Sequence, residues 1–409
     1  LSVPRDEVRI RVSETRLWAA DDQIPAQEQA MQELEAFYVE FMGRTPPAQA
    51  LAAGCRFYQA NWFRFAGKLD KAEAAIVEAH ELLLRAPAPA ALEIRVAAQY
   101  VIIVAPTNPA GAEQVARETL AKLPALDLEA RDEYGWLVGE LSSTLCRQDR
   151  FAEATALLEE QGRWLKTRGG SATDQLRLEA LRGAVLARSG NAREALPVLE
   201  AVATNPLSKV HDWMTAAVVA ASTGDHDSFQ RLSRICWLRF GSTVEGAAAF
   251  SVVTGLNQQP MDDNALTMAR ALLDRADDGS IGLNLRINLI NAFLAYREHR
   301  YPEALVLLDR FLATPDSRPG SQRFGAREPG LLASSLFIRA MLSAELGRAE
   351  EARRDFAHAR AQLKLALGDK PGHDRGENWV NTYQAENRQR EAEALFQAKG
   401  IPLPERDAK

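Results

Sequence analysis

Few cysteines and no long hydrophobic run occur in this sequence. Only three of the 409 residues are cysteine, at Cys55, Cys146 and Cys236. An odd number of widely spaced thiols does not make a disulfide framework, so we expect three buried free cysteines in a reducing, cytoplasmic compartment. The longest apolar runs, residues 100–105 and 216–221, are far shorter than the roughly 18 residues that a membrane-spanning helix needs. We therefore expect no membrane insertion.

Clustered positive charge is also lacking. The net charge is −6, and acidic and basic residues are interspersed along the chain. Nucleic-acid affinity comes mostly from clustered Lys and Arg that neutralise phosphates, so nucleic acid is not expected as the partner. The 25 Gly and 19 Pro are an average share, which excludes a collagenous or low-complexity protein. The N-terminus has no signal-peptide hydrophobic region. The chain begins at Leu1 and not at an initiator Met, which favours a processed chain or the C-terminal portion of a longer protein.

Signatures of catalysis and of metal binding are missing as well. The sequence contains no HExxH, GxSxG, GxGxxG or phosphate-loop motif, and its six histidines are scattered. Paired aspartates occur at residues 21–22, 262–263 and 277–278, next to predicted helix ends, where carboxylates cap free N–H groups. We therefore expect no enzyme, no catalytic residue, no cofactor and no metal.

Helical periodicity runs through the whole chain. Segments such as EQAMQELEAFYVEFM, KAEAAIVEAHELLL and AEATALLEEQGRWL place apolar residues at i, i+3, i+4 and i+7. No stretch shows the sustained alternation of a half-buried strand. The pattern predicts an all-α fold.

A short motif recurs along these helices: a polar or Gly-containing turn, then a small residue near the start of the next helix. Clear copies are GKLDKA, DRFAEA, GNAREA, HRYPEA and GRAEEA, and the spacing varies from 34 residues (Ala195 to Phe229) to 48 residues (Ala304 to Ala352). A small side chain is needed where two antiparallel helices come closest, and Ala also favours the helix. The predicted anchor residues are Ala30, Ala72, Ala112, Ala154, Ala195, Phe229, Ala265, Ala304 and Ala352.

Two further columns accompany the anchors. The residues twelve positions before them are small: Ala60, Ser142, Gly183, Ala217, Ala292 and Ala340. The residues four positions after them are large and apolar: Ile76, Leu158, Leu199, Leu308 and Phe356. Positions i and i+4 share one helix face, so each second helix is expected to turn this face to its neighbour.

This pattern resembles the tetratricopeptide repeat (TPR) family, a helix–turn–helix unit of about 34 residues. The resemblance implies an α-solenoid of antiparallel helix pairs, wound as a TPR-like right-handed superhelix. It also implies the following division: residues 1–12 as an N-terminal extension, 13–205 and 206–398 as two halves of one continuous array, and 399–409 as a tail.

The C-terminal half carries a narrower resemblance. The succession WMTAAVVAASTGDHDSFQRLSRICWLRFG, HRYPEALVLLDR, LGRAEEARRDFAHARAQL and ENWVNTYQAENRQREAEALF is similar to the TPR tail of bacterial Ser/Thr-kinase-type signalling proteins. The kinase motifs themselves are absent from this sequence. The resemblance implies the accessory region of a signalling protein, acting in signal transduction.

The predicted function is that of a protein–protein interaction scaffold or adaptor. The first helices of a solenoid line its concave side, and an Asn/Arg ladder there would bind an acidic peptide or a C-terminal carboxylate through charge-assisted hydrogen bonds. A solvated polar face is the plainer interpretation. Open alternatives are an α/α-toroid enzyme of glycosidase type and the sensor arm of a transcriptional regulator. The candidate partner-binding residues are Asn61, Arg64, Arg177, Arg188, Arg286 and Arg297.

Overall fold

The protein is described here from a computed structural model. The described residues are 5–19, 24–44, 46–86, 88–122, 131–167, 169–243, 246–276, 281–313, 328–368 and 379–404. Every regular element within these ranges is an α-helix and none is a strand, which confirms the all-α prediction.

The described helices divide into two compact units, and the boundary along the chain falls within α7, between Leu145 and Cys146. The helices of the first unit are α1 (Arg5–Ala19), α2 (Ile24–Met42), α3 (Pro46–Phe65), α4 (Leu69–Arg85), α5 (Ala90–Val104), α6 (Pro109–Lys122) and most of α7 (Arg131–Arg147). Those of the second unit are α8 (Phe151–Thr167), α9 (Ala172–Arg188), α10 (Ala192–Thr204), α11 (Val210–Thr223), α12 (His226–Phe240), α13 (Gly246–Leu256), α14 (Asp263–Ala276), α15 (Ile281–Arg297), α16 (Tyr301–Ala313), α17 (Pro329–Glu345), α18 (Ala349–Leu367) and α19 (Trp379–Ala398). The predicted division at residues 205 and 206 stays a prediction.

Within each unit the helices stack in two layers. An odd-numbered helix packs on the even-numbered helix that follows it, as α3 does on α4 and α17 on α18. Odd-numbered helices also contact the next odd-numbered helix, in the series α1, α3, α5 and in the series α11, α13, α15, α17, α19. Each unit is therefore a TPR-like α-solenoid of helix pairs, as the resemblance to the TPR family implied.

The anchors lie where the motif requires them. In the regular pairs the anchor is the fourth residue of the second helix, and its N–H donates to the carbonyl four residues earlier, as in Ala72 to Lys68 at 3.0 Å and Ala352 to Arg348 at 3.0 Å. Seven anchors have no exposed surface: Ala30, Ala72, Ala112, Ala154, Ala195, Ala304 and Ala352. Burial at the start of each second helix explains why a small residue recurs there.

One anchor was assigned one residue too early. Ala265 is only partly buried, whereas Leu266 is 5% exposed and donates its N–H to Asp262 at 2.9 Å, as the other anchors do. The carboxylate of Asp262 caps α14 by accepting the N–H of Ala265 at 2.7 Å. The preference for alanine misled the prediction, because a leucine fills the anchor position in this pair.

Six of the turns inside the pairs share one backbone conformation. In these the residue five positions before the anchor has a positive φ, and it is glycine in four of them: Gly67, Gly190, Gly224 and Gly347. Asp149 and His299 take the same position with φ of 59° each. Glycine enters this left-handed region without strain, while Asp and His are tolerated there better than most residues.

The column of small residues marks close helix contact. A Cβ atom added at Gly183 would lie 2.6 Å from Cδ2 and 2.8 Å from Cγ of Leu199, one of the predicted large residues. Leu199 is itself 3% exposed, so it has little space into which to retreat. Here α9 and α10 approach so closely that only glycine fits.

The second unit has a long-range contact that the repeat pattern does not contain. α19 packs on α17, as the next odd-numbered helix should, but it also contacts α11. α19 reaches α11 through Asn387 and Arg390, which donate to the carbonyls of Val218 and Ser222. The two ends of the series from α11 to α19 are thus in contact with each other.

Candidate partner-binding surfaces

Two of the predicted partner-binding residues lie in the last turns of α3. Asn61 is half-buried, and its amide donates to the carbonyl of Phe57, in its own helix, at 3.3 Å. The guanidinium carbon of Arg64 lies 4.3 Å from the centre of the Phe65 ring. The structure therefore brings Arg64 next to an aromatic side chain, which the predicted Asn/Arg ladder did not include.

The end of α3 and the start of α4 combine aromatic and basic side chains. We call this region the aromatic–basic surface, and its residues are Trp62, Phe63, Arg64, Phe65, Lys68, Leu69 and Lys71. The Nζ atom of Lys68 lies 4.8 Å from the Trp62 ring centre, and that of Lys71 lies 5.9 Å from the Phe63 ring centre. Each cation thus lies over a different ring.

Large apolar side chains are open to solvent on the same surface. Phe65 is 46% exposed and Leu69 is 58% exposed. Among the described residues no carboxylate lies within ion-pair distance of Lys68 or Lys71, although Asp70 stands between them in sequence. Both lysines are exposed, and a ring does not shield a cation from other molecules, so both side chains are accessible to a partner.

The other predicted residues lie in the second unit and are not an exposed ladder. Arg177 is half-buried in α9, and Arg188, the last residue of that helix, is 6% exposed. The side chain of Arg297, at the end of α15, is 7% exposed. The Arg286 side chain lies outside the described residues. Whether any of these residues contacts a partner stays a prediction.

Arg297 is bound by the chain's own α19. Its guanidinium pairs with Glu391 through two nitrogens, one of them at 3.0 Å, and its Nε donates to the side-chain oxygen of Asn257 at 3.1 Å. Arg388, 2% exposed, donates to the same Glu391 carboxylate at 2.8 Å and to the Asn257 carbonyl. Two guanidiniums therefore share one carboxylate in an interior position.

The electrostatics of this cluster follow from burial and charge. Burial would by itself raise the pKa of Glu391, but Arg297 and Arg388 outweigh it and hold this pKa below its ordinary value. Burial lowers the pKa of Arg388, and neighbouring Arg297 acts in the same direction against the pull of Glu391. The carboxylate is thus stabilised as an anion between two cations.

Further polar contacts extend along α19. Arg390 donates to the carbonyl of Ser222, near the end of α11, at 2.7 Å, and Tyr383 donates to the carbonyl of Ala187, in α9, at 2.9 Å. Asn387 donates to the side chain of Gln258 at 3.1 Å. We call Asn387, Arg388, Arg390 and Glu391, together with Asn257 and Arg297, the polar seam.

The polar seam was missed by sequence reasoning except for Arg297. Several hydrogen bonds of the seam join residues that are more than a hundred positions apart, such as the bond from Asn387 to Gln258. A helical pattern reports only local neighbours. One usable signal was the run NRQRE, which puts an acidic residue within one helical turn of two arginines.

Two histidines at the turns between paired helices have side-chain partners. His226 lies 3.2 Å from the Gln259 side-chain oxygen, and His299 lies 2.6 Å from the Tyr301 hydroxyl. Across the described part of the chain no three His, Cys, Asp or Glu residues are grouped as a metal ion would require. In the same part no helix combines the length and apolar character needed to cross a membrane.

Comparisons with known proteins show similarity to distant helical structures. No protein-family model matches the sequence, and no curated protein matches it significantly. The apo form of the quorum sensor NprR from B. thuringiensis is 10% identical, over 87% of this chain and 99% of its own, with a TM-score of 0.46. The TPR domain of P58(IPK) is 14% identical, over 96% of this chain and 99% of its own, with a TM-score of 0.24. Neither similarity is close enough to transfer a function.

Proposed function

We propose that this protein is a non-enzymatic helical-repeat module that binds a protein or peptide partner on the aromatic–basic surface. The observation that carries the proposal is the exposure of Phe65 and Leu69 beside Lys68 and Lys71, which have no carboxylate partner among the described residues. Contiguous exposed apolar side chains mark interaction sites, and aromatic side chains are enriched at interfaces relative to the rest of the surface.

The chemistry of the surface favours an acidic partner segment that also carries apolar side chains. Carboxylates would pair with Arg64, Lys68 and Lys71, while an apolar side chain would cover Phe65 and Leu69. Aromatic and Arg residues contribute most to binding energy in protein interfaces. The ion pairs would steer association and make binding weaken as salt rises.

The proposal includes the signalling role and the cellular location of the protein. The resemblance of the C-terminal half to the tail of bacterial kinase-type signalling proteins supports an adaptor role in bacterial signal transduction. Three buried cysteines that form no disulfide with one another support a cytoplasmic location. The remaining predicted residues, Arg177, Arg188 and Arg286 among them, are proposed as secondary contributors on the odd-numbered helices.

The second unit does not support the alternative of an α/α-toroid enzyme. A toroid also brings distant helices together, as α19 and α11 do here. A glycosidase needs two carboxyl groups facing each other, whereas the polar seam places two arginines around the single carboxylate of Glu391. The seam therefore does not favour hydrolysis.

The test is a binding measurement with a defined probe. A fluorescein-labelled acidic peptide that contains both Glu and Leu is titrated with the full chain. A second peptide, in which Gln replaces every Glu, is titrated in the same way. We expect the acidic peptide alone to bind, and Lys68→Glu/Lys71→Glu to weaken it about tenfold or more. Acidic residues in the first turn of α4 suit the helix dipole, so this variant should keep the fold.

Two controls decide the outcome. Lys364→Glu changes an exposed lysine on α18 and should leave the affinity unchanged. Labelled oligothymidine tests the rival that aromatic and basic side chains bind a single strand. Equal peptide binding by the Lys68→Glu/Lys71→Glu variant, or tighter binding of the oligonucleotide than of the peptide, would contradict the proposal.

A further inference from the structure

α19 has two faces of different character. One is apolar: Ala385, Ala392 and Phe396 have no exposed surface, and the Phe396 ring lies 5.2 Å from that of Phe356 in α18. The other carries the polar seam. This buried apolar face packs α19 on α17 and α18, so the seam is not the only means of keeping this helix in place.

The polar seam has more donors than acceptors. Arg297 and Arg388 share the one carboxylate of Glu391. In addition, Nε of Arg388 and the amide nitrogen of Asn257 are buried and have no hydrogen-bond partner among the described residues. Buried donors without acceptors cost stability, and a carboxylate is the acceptor that suits guanidinium and amide donors best.

Glu391 differs from the residues that hold it in how open it is to solvent. Its side chain is 23% exposed, against 7% for Arg297 and 2% for Arg388. Rotation of this side chain toward water would leave α19 docked by its apolar face and would open the two guanidiniums to another anion. The carboxylate is the part of the cluster that can be exchanged.

We propose that Arg297 and Arg388 form a carboxylate-binding site on the odd-numbered helices of the second unit, which Glu391 occupies in this structure and which an acidic segment of a partner protein takes by replacing it. The partner supplies a Glu or Asp side chain on an extended or helical segment, which reaches the site through the exposed edge of Glu391. The site lies in the other unit from the aromatic–basic surface, so it does not depend on the proposed function of that surface.

The experiment removes the resident carboxylate while keeping its size. Glu391→Gln is made in the full chain together with Lys68→Glu/Lys71→Glu, so that the first-unit surface does not bind the probe. The probe is a fluorescein-labelled helical peptide of Glu and Ala, with its Gln counterpart as the neutral control. We expect Glu391→Gln to bind the Glu peptide about tenfold more tightly than the same chain with Glu391.

Three comparisons make the result specific. Glu393→Gln, which loses a carboxylate two residues away whose bond is to Gln389, should leave binding as it was. Adding Arg297→Gln to Glu391→Gln should abolish the gain, and the Gln peptide should bind none of the variants. No gain in Glu391→Gln, or a gain that survives the loss of Arg297, would overturn the proposal.

A second variant covers the case in which Glu391→Gln does not fold. Glu391→Asp keeps the charge but shortens the side chain by one methylene group, so it competes less well for Arg297. We expect a severalfold gain in affinity for the Glu peptide. A folded Glu391→Asp chain, verified by circular dichroism, that binds the peptide no better than wild type would contradict the site.

Discussion

The aromatic–basic surface and the polar seam use cationic side chains in opposite ways. On the first, Lys68 and Lys71 lie over aromatic rings at the solvent boundary. In the second, Arg297 and Arg388 are buried around the Glu391 carboxylate. Burial obliges a charge to find a partner within the fold, while exposure over a ring leaves it available to another molecule.

The largest expected effect on the free energy of unfolding comes from removing a cation from the polar seam. Arg388→Ala leaves Glu391 with one cation fewer and removes a fully enclosed side chain. We expect a loss of about 3 kcal/mol or more in the free energy of unfolding, measured by urea denaturation. A loss below about 1 kcal/mol would mean that the seam contributes little to the stability of the fold.

A matched pair of glycines tests whether the two units are packed equally closely. Gly183→Ala in α9 places a Cβ 2.6 Å from Leu199, and we expect it to cost about 1–2 kcal/mol through overpacking. Gly54→Ala in α3 meets no atom within 4 Å, so the higher helix propensity of alanine should stabilise the fold by about 0.5–1 kcal/mol. Thermal unfolding of both variants is the measurement. Effects of the same sign would contradict the difference in packing.

The loss of folding stability at low pH tests the role of Glu391 in the polar seam. The pKa of Glu391 is lower in the folded chain than its ordinary value, because Arg297 and Arg388 outweigh burial. Its stabilisation is therefore complete above the ordinary carboxyl pKa and is lost as pH falls through the lowered one. Urea midpoints compared between neutral pH and pH 3 should fall less in Glu391→Gln than in wild type. An equal fall in both chains would show that Glu391 is not the group responsible.

The smallest stability effect is expected on the aromatic–basic surface. Lys68→Ala and Lys71→Ala should change the free energy of unfolding by less than about 0.5 kcal/mol each, because both side chains are exposed and pair with no carboxylate of the described chain. Both substitutions should nevertheless weaken binding of the acidic peptide. A large stability loss with unchanged binding would assign these lysines to the fold instead.

Local features of the fold were predictable from the sequence, and the reason is visible at particular positions. Ala72 and Ala352 lie where two helices join through a short turn, and close approach leaves room only for a small side chain. The prediction failed at Leu266. The anchor position requires a buried side chain, which leucine also provides, whereas the sequence motif was defined by alanine. Helix capping by Asp262 was likewise a local property and was anticipated correctly.

The candidate sites were less predictable because they depend on contacts between distant residues. Arg297 was selected as an exposed groove residue, yet Glu391, 94 positions later, pairs with it. Arg64 was selected for its charge, but its neighbour Phe65 and the lysines of α4 define the surface around it. A sequence pattern ranks residue types on one helix and carries no information on which helix returns to cover them.

The most direct test of the central claim, that the aromatic–basic surface binds an acidic polypeptide, is hydrogen–deuterium exchange of the full chain with and without the acidic Glu/Leu peptide. The account predicts slower exchange at residues 61–72, and no such slowing in Lys68→Glu/Lys71→Glu. Protection confined to other helices, or no protection at a peptide concentration that saturates the anisotropy signal, would contradict it.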